Sequence, residues 1–231
     1  MSDIFWWVIF PYASLIIMVL GLLYRFAFRQ LTWAAPSTEF FEKKWLRFGS
    51  PLFHWGVIFA FFGHIMGIVV PMKVYEVLGV SDQLYHMGAV YGGSLAGIVM
   101  IAGLIILLIR KMVFDPVRVH ATFADFYSVI ALLIIAGVGT YMTIFGNFTP
   151  EEFDYRSAIG PWFRSLFVLN PQYELMTNIP LIFKVHTLLG FGLFASIPFT
   201  RLIHFYSIPV GYPARAPQQY RSRAQYKKES S

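Results

Sequence analysis

The chain contains no cysteine. It can form no disulfide and supply no thiolate to an iron–sulfur cluster, so any redox chemistry must use another cofactor. Charge is the second scarcity. Only 13% of the 231 residues are Asp, Glu, Lys or Arg, against about 25% in soluble domains. The shortage comes in blocks: Ile4–Tyr24, Phe48–Met72, Gln83–Ile109 and Phe126–Pro150 hold no charged residue at all. Each exceeds the ~18 residues that mark a membrane-spanning candidate. A fifth stretch, Ile179–Ser207, is interrupted only by Lys184 and Arg201 near its ends, where long basic side chains reach the headgroups. With a mean hydropathy of +0.60, the expected fold is all-α, a polytopic membrane protein of five transmembrane helices.

What charge remains is distributed unevenly. Fourteen of the eighteen Lys and Arg residues fall between spans one and two, between spans three and four, and at the C-terminal end from Arg201 onward. The positive-inside rule then puts the N-terminus outside and the C-terminus in the cytoplasm. The net charge of +6 is accounted for by this asymmetry and by attraction to anionic membrane lipid, and implies no nucleic-acid partner. Residues 1–208 form the membrane domain, and residues 209–231 form a basic cytoplasmic tail suited to docking on soluble subunits.

The spans carry further detail. Trp6, Trp7 and Tyr12 form an aromatic belt at the start of the first span. Gly93 and Gly97 in the third are a small-xxx-small pair suited to close helix packing. The fourth reads as scaffold. The long segment Gly146–Asn178 contains Pro161–Phe167, expected to be a short interfacial helix with Pro161 in its first turn. Pro198 should kink the fifth span.

Histidine is the informative presence. Four of the six histidines lie in two spans: His54 and His64 in the second, His186 and His204 in the fifth. Ionisable side chains inside a membrane are rare and usually functional. The two spans run in opposite directions, so His54 matches His204 in level near the cytoplasmic side, and His64 matches His186 nearer the outside. The match is imperfect, because a straight helix separates the first two by about 15 Å and the last two by about 27 Å. One interhelical hydrogen bond per histidine is one explanation. Zinc fits poorly, since the pairs are far apart and no carboxylate joins them. Ligation of two haem irons, one per pair, fits the pairing best. Gly56, Gly63, Gly67, Gly190 and Gly192 would then clear space for flat macrocycles, and Lys184 and Arg201 stand where they can meet propionates or snorkel.

These histidine motifs resemble the gamma subunit of membrane-bound respiratory nitrate reductase, a five-span dihaem cytochrome b. The likeness lies in Leu52-Phe53-His54-Trp55-Gly56, Gly63-His64, Phe183-Lys184-Val185-His186-Thr187-Leu188-Leu189-Gly190 and Pro198-Phe199-Thr200-Arg201-Leu202-Ile203-His204, and covers nearly the whole chain. It implies two b haems, a proximal one on His54 and His204 and a distal one on His64 and His186. It also implies a prokaryotic cytoplasmic membrane, quinol drawn from the quinone pool and oxidised near the outer face, and protons released outside. The implied partners are a cytoplasmic iron–sulfur subunit and a molybdenum catalytic subunit that reduces nitrate. Neither the iron–sulfur cluster nor the molybdenum belongs to this chain. The family has a lysine implicated in quinol binding ahead of the span-three glycines; here His86 is the residue expected to take that role. Related dihaem subunits serving sulfur metabolism or nitrite oxidation are the alternative reading.

Overall fold

Five helices long and apolar enough to cross a membrane dominate the structure, a computed structural model that describes residues 2–29, 33, 37–146 and 153–207. They are α1 (Ser2–Phe28), α2 (Lys44–Val69), α4 (Asp82–Val113), α6 (Phe123–Phe145) and the stretch Leu181–Phe199, in which α8 is Leu181–Ser196. Between them lie the short α3 (Met72–Val77), α5 (Asp115–Val119) and α7 (Tyr155–Phe167). Among the described residues there is no strand. The expected all-helical, five-span architecture is borne out. The basic tail lies outside the described residues.

Local chemistry sets the helix starts. The Ser81 hydroxyl caps α4 by accepting from the Leu84 amide, and Thr122 with Asp125 forms a capping box at α6. The basic segment between spans three and four is mostly helical: Arg110 and Lys111 belong to the last turn of α4, and Asp115–Val119 forms α5. The interfacial helix also needs correcting. It begins at Tyr155 rather than Pro161, because the Asp154 carboxylate accepts from the Arg156 amide and caps it there. Pro161 therefore sits inside the helix, where it lacks the N–H that would bond back to Ser157.

Close backbone approach governs the packing of α2 on α4. A Cβ on Gly56 would lie 2.5 Å from the Met100 amide nitrogen, and one on Gly103 would collide with the Phe53 amide and the Gly49 carbonyl. Gly93 and Gly97 play the expected part against α6, meeting Thr143 and Thr140. On the other flank α1 leans on the end of the fifth span: Gly21 faces the Pro198 ring, and Arg25 Nη1 donates to the Pro198 carbonyl at 2.8 Å. Helix α7 closes one end of the bundle. Its Trp162, 0% exposed, donates from Nε1 to the Trp7 carbonyl at 3.0 Å, and Arg164 reaches the Ile68 carbonyl at 2.7 Å. Apolar side chains still cover the outside, as at Ile16, Leu20 and Leu95. A surface so apolar needs lipid around it.

At the other, basic end one arginine ties the segment before α2 to α4. The Arg110 guanidinium donates to Glu42 Oε2 at 2.7 Å, to Thr38 Oγ1 and to the Thr38 and Glu42 carbonyls. Burial works against the Glu42 carboxylate, but the Trp45 amide, Arg110 and the Leu46 amide hold its pKa below the usual carboxylate range. A depressed carboxylate pKa stabilises the fold above the unfolded value, and that contribution fades as pH falls through the folded one. Arg110→Ala leaves Glu42 without its cation and is expected to cost roughly 3–5 kcal/mol, read as a lower unfolding temperature in detergent.

Candidate functional site

The four span histidines meet in two pairs. His54, on α2, faces His204 with ring centroids 6.0 Å apart and planes inclined at 68°. His64, on the same helix, faces His186 of α8, also at 6.0 Å, with planes at 22°. The unequal sequence spacings are reconciled by the fifth span. α8 ends at Ser196, ten residues past His186, the same interval that separates His54 from His64. Beyond it the chain makes a 3-10 turn over Ile197–Phe199, goes extended at Thr200, and turns again over Arg201–Ser207. His204 therefore leaves the axis of α8 and returns to the level of His54. Pro198 starts this departure, as expected, although the change is an ended helix rather than a kink.

Hydrogen bonds fix three of the four rings. Nδ1 of His54 lies 2.7 Å from the Ser50 carbonyl, Nδ1 of His64 lies 2.6 Å from the Ala60 carbonyl, and Nδ1 of His204 lies 2.7 Å from the Arg201 carbonyl. A carbonyl oxygen can only accept, so each Nδ1 is the donor in its bond. Backbone carbonyls commonly hold metal-ligating histidines this way. Nδ1 of His186 is buried with no partner among the described residues, and Gly139 backs its ring so closely that a Cβ there would lie 2.8 Å from Cε1.

The other expected site residues are placed as follows. Gly190 faces open space, with nothing within 4 Å of a Cβ built on it, and so does Gly63. Gly56 and Gly67 do not clear such space. The first is filled by the α4 backbone at Met100, and the second by the Tyr155 and Tyr85 side chains. Lys184 donates to the Thr177 carbonyl at 2.6 Å, and Arg201 pairs with Asp125 at 3.2 Å. His86, in the first turns of α4, is half-buried. His120 stacks on Phe41 at 4.5 Å and is remote in sequence from the four.

Sequence reasoning missed a polar cluster beside the His64–His186 pair. Arg156 is 4% exposed; its Nη2 meets Asp82 Oδ1 at 2.9 Å and Asp154 Oδ2 at 2.8 Å, and its Cζ lies 4.4 Å over the Tyr85 ring. Burial opposes the Arg156 charge, but the two aspartates outweigh it and hold its pKa above the ordinary value. Tyr85 and Tyr155 join their hydroxyls at 3.1 Å. The available signal was Asp154-x-Arg156 at the mouth of an apolar helix.

Two facing imidazoles can hold one metal ion between them from opposite sides. A metal–imidazole bond of about 2 Å and the radius of the ring together put such centroids about 6 Å apart. Among the described residues no three His, Cys, Asp or Glu gather into a site for a bare ion. The chemistry of the pairs suits a metal whose remaining ligands come from a macrocycle.

Known proteins give the family. A family model described as nitrate reductase gamma subunit matches residues 3–223. The nitrate reductase gamma chain of Bacillus subtilis is 40% identical over 97% of this chain and 100% of its own length. The respiratory nitrate reductase 1 gamma chain of Escherichia coli is 29% identical over 96% of this chain and 98% of its own. The nitrate reductase-like protein NarX of Mycobacterium tuberculosis is 38% identical over 96% of this chain, which spans only 34% of that longer protein. Full-length similarity, five apolar helices and the family model agree: the chain belongs to the nitrate reductase gamma subunit family, whose members are membrane subunits of an oxidoreductase complex.

Proposed function

We propose that this chain is the quinol-oxidising dihaem cytochrome b of a respiratory nitrate reductase. The observation that carries the proposal is the pair of 6.0 Å imidazole contacts, three of whose four rings have Nδ1 tied to a backbone carbonyl. His54 with His204 would hold a proximal b haem, and His64 with His186 a distal one. Two b haems, when bound, supply reversible one-electron steps between a two-electron quinol and a one-electron acceptor.

The protein's own contribution is orientation, exclusion of water and direction. The carbonyls of Ser50, Ala60 and Arg201 fix three ring tautomers, so that Nε2 is presented without reorganisation. The open face at Gly190 is available to a macrocycle edge. Lys184 and Arg201, though engaged with Thr177 and Asp125, stand near the two levels as candidate partners for propionates. The excess of Lys and Arg around the His54–His204 end supports a cytoplasmic setting for that end and for the C-terminus. The His64–His186 end is then outside, where quinol is oxidised and its two protons are released. His86, close to that end, is available to a quinol hydroxyl, with an imidazole suited to proton acceptance. Electrons are delivered inward to a cytoplasmic iron–sulfur subunit and on to a molybdenum subunit that reduces nitrate. The setting is the bacterial cytoplasmic membrane.

The test is spectroscopic. The purified chain, or its complex, is expected to give a dithionite-reduced minus oxidised difference spectrum with b-type absorbance amounting to two haems per chain. A spectrum without b-type absorbance would reject the proposal.

A further inference from the structure

Arg156 has one guanidinium nitrogen, Nη1, that no group among the described residues accepts from. Its Nε and Nη2 are taken by Asp154 and Asp82, while Nη1 is buried with no partner. A buried polar group left unpaired costs about 1–3 kcal/mol, more when it is charged, and in a native protein such a group calls for an explanation, a catalytic role or a bound species among them.

The position of this donor is specific. The Arg156 guanidinium covers the Tyr85 ring, and the Tyr85 hydroxyl meets that of Tyr155. Tyr155 in turn rests on two residues that flank the histidine pair. A Cβ on Gly67 would lie 2.9 Å from Tyr155 Cε2, and the Phe183 ring stacks with Tyr155 at 6.4 Å and 24°. Gly67 follows His64 by three residues and Phe183 precedes His186 by three, roughly one helical turn beyond each toward the same end. Tyr155 thus lies across the end of the His64–His186 pair.

The surroundings select the ligand. Arg156 is outnumbered by two carboxylates, so the cluster carries a net negative charge and disfavours an anion. The remaining walls are aromatic. A free N–H donor beside a phenol hydroxyl, inside aromatic walls, suits a neutral ring bearing oxygen. We propose that Arg156 Nη1 and the Tyr155 hydroxyl bind one oxygen of the quinol ring, an inference that rests on the quinol-oxidising reading above. Arg156 only donates and so contacts that oxygen in either redox form. Tyr155 both donates and accepts, accepting a hydrogen bond from the hydroxyl of bound quinol or donating one to the carbonyl of the quinone. Entry displaces the Tyr155 side chain from its close seat on Gly67.

Tyr155→Phe keeps the ring and its stacking and removes only the hydroxyl. In the complete complex in membranes, with menadiol as the electron donor, haem reduction by stopped flow is expected to need about tenfold more menadiol for half-maximal rate. Dithionite-reducible haem should stay at the wild-type level. Arg156→Lys, which loses the planar fork, should raise the menadiol requirement as well. If it lowers haem content instead, Tyr155→Phe alone decides. An unchanged menadiol KM in Tyr155→Phe, at full or at reduced haem content, overturns the inference and leaves the two-haem reading standing. A wild-type chain lacking b-type absorbance overturns that underlying reading instead.

Discussion

Alanine at His54 and alanine at His204 are expected to remove the same b haem, leaving the other in place. His64→Ala and His186→Ala should remove the second haem and spare the first. The pairing follows from geometry. Each ring has one facing imidazole, 6.0 Å away between centroids, and a haem held by both would lose one of its two protein ligands. Low-temperature difference spectra and redox titration of each variant separate the two haems. The effect should be near-complete loss of one b-type component and, on the proposed electron path through both levels, a large loss of quinol-driven nitrate reduction. Loss of different haems from His54→Ala and His204→Ala would refute the assignment, whatever happened to activity.

The four histidines were legible in the sequence because imidazoles stand out in charge-free runs, and antiparallel spans pair them by level. The route by which His204 reaches His54 was not legible. Pro198 announces an interruption, but not that α8 stops at Ser196 or that Thr200 goes extended. Those features depend on packing of the Pro198 ring against Gly21 and on Arg25 holding the Pro198 carbonyl, residues far away in the chain. Gly56 and Gly67 were read as room for a cofactor because a sequence shows a missing side chain and not its neighbour. For Gly56 the neighbour is the backbone of α4; for Gly67 it is Tyr155. Arg156 was passed over for the opposite reason. A charged residue in a long connection reads as solvated, and its burial is set by Asp82, which comes from another helix altogether. Helix α7 was recognised as a short interfacial helix, but its start was misjudged because proline at the first turn outweighed the cap that Asp154 provides.

Gly103→Ala is expected to disrupt the whole site while altering no ligand. The methyl group would meet backbone, the Phe53 amide and the Gly49 carbonyl, and not the end of a movable side chain. Overpacking against side chains typically costs 1–3 kcal/mol; here the two helices must separate, so the cost should reach about 3 kcal/mol or more by the same principle. Separation acts directly on the histidines. Phe53 immediately precedes His54, and Gly56 is held on Met100 one turn further along α2. Moving α2 away from α4 shifts His54 and His64 together relative to His204 and His186, which are carried by the fifth span. Both b haems should therefore fall in occupancy in parallel, unlike the one-at-a-time losses of the alanine series. Gly92→Ala on the same helix, where a Cβ meets nothing within 4 Å, is the control and should leave haem content and unfolding temperature close to wild type. Selective loss of one haem in Gly103→Ala, or equal damage from both substitutions, would show that the α2–α4 contact does not set the spacing of the imidazole pairs.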